Sequence, residues 1–159
     1  MIDGPYFVLT VLGAVTCALV AGVFIGFSTF VMRGLAALPS PQGIAAMNAI
    51  NVTAVRPPFM AVFMGATGVS VVLAVVTFVV WPDEGAVELL LGCALYLFGC
   101  FGVTVVANVP RNNELAKVDA ASESGAEYWR TYVAEWTMWN HIRTGAATAA
   151  TVSFILGLT

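Results

Sequence analysis

The chain has 159 residues, of which 60% are hydrophobic and 9% charged, and a net charge of −3; its mean hydropathy is +0.92. A soluble domain usually carries about a quarter charged residues, so six basic and nine acidic side chains exclude an ordinary water-facing surface. The acidic balance also excludes the basic stripe that a nucleic-acid partner requires. What remains is one integral membrane domain over 1–159, because spans of roughly 20 residues each leave room for four and for no separate soluble unit.

The first predicted span covers about 6–32. It lacks a basic start, and its apolar run is far longer than a signal sequence needs, so it reads as a retained helix. Gly22 and Gly26 form a small-xxx-small pair that predicts close approach of a neighbouring helix. A short interfacial helix follows over about 41–55, begun by Pro41 and stopped by Pro57-Pro58, as proline position favours. The second span runs over about 59–81 and ends on Trp81, an interfacial aromatic. The acidic turn Pro82-Asp83-Glu84-Gly85 leads to the third span over about 86–107, where Gly92, Gly99 and Gly102 are further close-packing positions. Cys17, Cys93 and Cys100 lie in apolar runs without a CxxC pair, which predicts buried thiols rather than disulfides.

Beyond Asn108 the sequence turns polar as far as Arg143, and 126–143 is helical in character. The last apolar run, Thr144 to Thr159, falls short of a hydrocarbon core of roughly 30 Å at about 1.5 Å per residue. A fourth span over 140–159 must therefore include Asn140, His141 and Arg143 at membrane depth, where polar groups face the interior and find partners. The predicted fold is all-α: a four-helix transmembrane bundle with an interfacial helix in the first loop and an extended amphipathic lead-in to the fourth helix. All six Lys/Arg lie in the first and third loops, so the positive-inside rule places those loops in the cytoplasm of a multi-pass cell-membrane protein and both termini outside.

Three segments converge on that face: Ser28-Thr29, Asn108 through Asn113, and Trp136 through Arg143. Trp136, Asn140 and Arg143 share one helix face, and Trp139 stands four residues before Arg143, at stacking distance. His141 is the only histidine, which suits a general base near neutral pH and makes a metal site in one chain a poor expectation. Asn48 and Asn51 lie on one face of the interfacial helix and join the candidate substrate-binding set with Trp136, Trp139 and Asn112. Snorkelling of Arg143, an interfacial tryptophan belt and a helix stop at Asn108 with Pro110 are the structural alternatives.

These residues resemble the anthrone oxygenase-like membrane proteins. The likeness rests on Gly26-Phe27-Ser28-Thr29-Phe30-Val31-Met32, Ala45-Ala46-Met47-Asn48-Ala49-Ile50-Asn51, Asn108-Val109-Pro110 with Asn112 or Asn113, and Trp136 through Arg143, and covers nearly the whole chain in order. The resemblance implies four transmembrane helices and an oxygenase that turns anthrones into anthraquinones with molecular oxygen, without an added cofactor. The chemistry would use His141 as base, Arg143, Asn140 and Asn108 as donors to a developing oxyanion, and Trp136 and Trp139 as an aromatic slot. The implied partners are the lipid bilayer and a hydrophobic small molecule, and a homo-oligomer stays open. The alternative classes are a structural or assembly protein, or a transporter subunit, against which the absence of a duplicated half argues.

Overall fold

The computed structural model describes residues 4–159. Five helical rods follow one another, with no strand among these residues: α1 Gly4–Ala36, α2 Ser40–Ala54, α3 Phe59–Val80, α4 Ala86–Leu115 and α5 Glu123–Leu156. Three of them, α1, α3 and α4, are long and apolar enough to cross a membrane. The fifth is the longest, but its first half carries most of its charge.

α1 packs against α5 and α3, and α4 packs against the same two. Their shared core includes Phe24 from α1, Leu73 from α3, Cys93 and Tyr96 from α4 and Phe154 from α5. α5 meets α4 through small residues: a Cβ on Gly99 would stand 2.7 Å from that of Ala146, and one on Gly92 would stand 2.7 Å from the Phe154 ring. Such close backbone approach is how apolar helices associate where lipid tails remove the hydrophobic driving force. The predicted contact at Gly22 and Gly26 is not made. Gly22 has nothing within 4 Å of a built Cβ, and Gly26 meets only Phe30 of its own helix. The small-residue contact lies instead between α4 and α5, where Gly92 and Gly99 stand against Phe154, Ala150 and Ala146. All three cysteines are buried and free. Phe30, Phe78, Phe98 and Val106 stand outward, forming an apolar outer surface of the kind lipid or a partner covers.

One helix runs further than its sequence predicts. α4 continues from the expected end near 107 through Pro110 to Leu115. A π-helical segment, Thr104–Asn108, precedes the proline, and the Val109 N–H reaches back to the Thr104 carbonyl. The wider turn accommodates the ring, and Arg111 Nη1 donates to the Ala107 carbonyl at 2.9 Å. α5 begins at a Ser122 cap, whose Oγ accepts from the Gly125 N–H at 2.9 Å, so the amphipathic lead-in and the last apolar run form one unbroken helix.

α2 closes one end. Ile44 and Met47 pack with Met32 and Leu35 of α1, Leu115 of α4, and Trp129, Tyr132 and Trp136 of α5. Since connected rods run antiparallel, this end also holds the C-termini of α1 and α4, the N-termini of α3 and α5, and Arg33, Arg56, Arg111, Lys117 and Arg130.

Candidate functional site

Where the α2 cap meets the rods, Arg143 is 4% exposed and Asn140 fully buried. They sit one turn apart on α5, so the Arg143 Nη2 donates to Asn140 Oδ1 at 2.6 Å. The Asn140 amide in turn donates to the Phe24 carbonyl and to Ser28 Oγ, both at 2.7 Å. The π-helical turn Phe27–Val31 of α1 lies immediately beyond Phe24, and such turns loosen the local ladder of backbone bonds. Arg143 Nη1 donates to Thr104 Oγ1 at 3.2 Å, at the start of the π-helical segment of α4. Ser28 of the first π-helical turn thus meets Asn140, and Thr104 of the last one meets Arg143.

Two rings flank the charge, with its carbon 4.1 Å from the Phe24 centroid and 5.1 Å from that of Trp136; a desolvated cation is stabilised over such faces. Among the described residues, no carboxylate pairs with it. The ion pairs among the described residues are Arg111–Glu135 and Lys117–Glu114. Arg143 Nε is buried without a partner.

Beside Arg143 lies a cavity of about 590 Å³, within the range that holds a drug-sized ligand. Phe24, Phe27, Trp136, Phe59 and Phe63 form its aromatic walls. Arg143, Thr104, Asn112 and Asn51 are polar groups in its lining, and Arg56 with Pro57-Pro58 stands on its exposed side. Asn112 Oδ1 accepts from both Tyr132 Oη and Trp136 Nε1 at 2.8 Å, which fixes the Trp136 ring as a wall. Burial pushes the Tyr132 phenol above its ordinary pKa, so it stays protonated and donating.

Of the residues singled out from the sequence, the structure brings Arg143, Asn140, Trp136, Asn112 and Asn51 together. Asn108 is buried beside them and ties α4 to α5 by donating to the Trp136 carbonyl at 3.2 Å; it does not line the cavity. Asn48 lies on α2 with a buried, unpartnered Oδ1, outside the lining. Trp139 does not stack on Arg143: its ring lies under Arg111, 5.8 Å from the guanidinium carbon, because Arg143 turns toward Trp136 on the buried face. His141 is exposed on the outer face of α5 and is not among the cavity residues, since one step along a helix turns a side chain by about 100°. Phe24 and Thr104 were not singled out from the sequence, because their roles depend on contacts between helices. Their one local mark is the run of small and β-branched residues around each helical irregularity.

Among the described residues, no three His, Cys, Asp or Glu side chains gather closely enough to hold a metal ion. Comparison with curated proteins and with solved structures finds no match to this chain. The family profile described as anthrone oxygenase matches residues 59–153, a stretch that runs from the start of α3 almost to the end of α5.

Proposed function

The chain belongs to the anthrone oxygenase family, and on that premise we propose that it is a membrane-embedded oxygenase acting with molecular oxygen on a flat, hydrophobic, anthrone-like substrate held in the cavity beside Arg143. The observation that carries this reading is a buried guanidinium, flanked by Phe24 and Trp136 and lacking a carboxylate, at the wall of an aromatic cavity. A charge kept there at the cost of desolvation suits a substrate that becomes negative during reaction.

In this mechanism the substrate carbonyl oxygen rests on Arg143. The methylene proton leaves as negative charge moves onto that oxygen, and the guanidinium stabilises the enolate. The electron-rich ring carbon then adds O2, and the peroxide anion takes up a proton to give a hydroperoxide, which loses its remaining C–H proton as the O–O bond breaks and hydroxide leaves, the two together as water, to give the quinone. One O2 is consumed; one of its atoms becomes the new carbonyl and the other leaves as water with the two methylene hydrogens. Asn140 positions Arg143, and Asn112 positions Trp136. With His141 outside the cavity, the first proton passes to water rather than to a side chain.

The same reading makes the second half of α5 a fourth span, held among α1 and α4 with Arg143 turned inward. It places the basic end of the helices in the cytoplasm and both termini outside. Oxygen uptake by purified protein with an anthrone, above the uncatalysed background, tests the activity. Uptake that the protein accelerates, and that Arg143→Gln abolishes, is expected. Uptake equal to background with every anthrone tried would refute the assignment.

A further inference from the structure

Resting on that reading and adding a residue to its first step, we infer that Asn51 is a positioning residue that holds the water taking the methylene proton. The inference comes from the hydrogen bonds of the lining, whose side-chain oxygens belong to Asn51, Thr53, Thr104 and Asn112. Thr53 Oγ1 donates to the Ala49 carbonyl at 2.9 Å. Thr104 Oγ1 donates to the Cys100 carbonyl and accepts from Arg143. Asn112 Oδ1 accepts twice, from Tyr132 and Trp136. Asn51 Oδ1 is the one that makes no hydrogen bond. The Asn51 NH2 is buried away from the cavity, beside the Tyr132 phenol, where burial raises the pKa and the amide opposes the rise. The oxygen is therefore the end of Asn51 that the cavity reaches.

An amide oxygen is too weak a base to take the proton itself, but it accepts a hydrogen bond from water well. Asn112 bonds the same Tyr132 hydroxyl that Asn51 adjoins, and its NH2 supplies the matching donor. A buried water needs about two to four polar partners, and this pair offers one of each sense. The water donates to Asn51 Oδ1, accepts from Asn112 and turns its remaining lone pair to the substrate. The cavity of about 590 Å³ has room for a flat tricycle and for a water of about 30 Å³. In the step, the methylene C–H bond breaks and its electron pair moves onto the carbonyl oxygen held by Arg143. The new O–H bond makes the water a hydronium, whose proton passes to solvent on the exposed side around Thr53. No Asp or Glu lines the space, so no carboxylate competes for the role.

Hydrogen–deuterium exchange at the methylene of an anthrone isolates this step, because it needs no oxygen. It is measured by mass spectrometry in D2O under nitrogen, with the full chain in phosphatidylcholine nanodiscs, against empty discs. The wild type should speed exchange, with no acid limb across neutral pH. Asn51→Leu keeps the size, loses the acceptor and should lower the excess rate about ten- to a hundredfold. Asn51→Asp puts a base where the water's holder stood. Its exchange should match or exceed the wild type at neutral pH and fall about tenfold per pH unit once the carboxylate protonates. The charged and titratable groups around that position are Tyr132 and Arg143 on α5 and Arg56 just beyond α2; the α1, α3 and α4 parts of the lining carry none. An acid limb gained in Asn51→Asp therefore belongs to the new carboxylate. Melting curves establish that both variants fold, and Asn51→Asp decides alone if Asn51→Leu melts early.

Wild-type exchange in a folded Asn51→Leu, or a profile in Asn51→Asp without an acid limb, overturns the inference. Weaker anthrone binding in Asn51→Leu with an unchanged exchange rate at saturation assigns Asn51 Oδ1 to a substrate hydroxyl and overturns it too. Accelerated exchange without oxygen uptake defeats the oxygenase reading alone. Oxygen uptake that is accelerated while exchange stays at background defeats this inference alone.

Discussion

Asn140 Oδ1 accepts a 2.6 Å hydrogen bond from the Arg143 guanidinium while the Asn140 amide donates into α1 at the Phe24 carbonyl and Ser28 Oγ. One asparagine thus aims the buried charge and anchors it to a neighbouring helix. Replacing it with leucine removes the acceptor and leaves the α1 groups unpaired, at about 1–3 kcal/mol for each buried group left unsatisfied. Asn140→Leu should lower the melting temperature in detergent and cut activity. Unchanged melting would show that the network does not hold the helices together.

Arg143→Lys should keep the charge and lose the activity. Lysine has neither the planar fork that serves Thr104 and Asn140 together nor the flat face that lies between Phe24 and Trp136. The expected pattern is a well-folded variant with oxygen uptake near background. Wild-type uptake in Arg143→Lys would reduce the role of Arg143 to a point charge.

His141→Ala should retain oxygen uptake within a small factor of the wild type. Removing a general base costs about 10²–10⁴ in rate, and His141 is exposed on the side of α5 away from the cavity. A loss of that size in a folded variant would restore His141 as the base and require α5 to rotate in the reacting state.

Tyr132 gives the fold a one-sided pH dependence. Burial raises its pKa, so above the ordinary tyrosine value of about 10 the unfolded chain releases this proton while the folded chain keeps it. The folded state then binds more protons, and stability falls as pH rises. The loss should begin above that value and continue through the raised folded pKa. Tyr132→Phe should flatten the alkaline loss relative to wild type, at a neutral-pH cost of about 1 kcal/mol for the bond to Asn112. Parallel alkaline melting curves for the two proteins would remove Tyr132 as the cause.

Single-cysteine variants in the Asp83–Glu84 turn, made in a background with Cys17, Cys93 and Cys100 replaced by alanine, should label from outside intact cells. Variants beside Lys117 should label only after permeabilisation. The reverse pattern would invert the orientation that the basic residues predict.

What the sequence determined is what depends on local pattern. The apolar runs located α1, α3 and α4, though not the end of α4; Pro41 and Pro57-Pro58 bounded α2; and the helical spacing of Trp136, Asn140 and Arg143 placed them on one face, which the structure buries. The Trp136-to-Arg143 segment and the Asn108-Val109-Pro110 motif also pointed to the family whose profile the chain matches. The tertiary structure decided everything that depends on which helix stands opposite. Phe24 and Thr104 became partners of Arg143 only because α1 and α4 both stand against α5. Gly92 and Gly99, not Gly22 and Gly26, took the close contact because the alanines of α5 lie against α4. His141 left the site, and Trp139 went to Arg111 rather than Arg143. Periodicity fixes a residue's angle on its own helix, whereas the neighbour at that angle is set by packing among all five, which no local stretch of sequence contains.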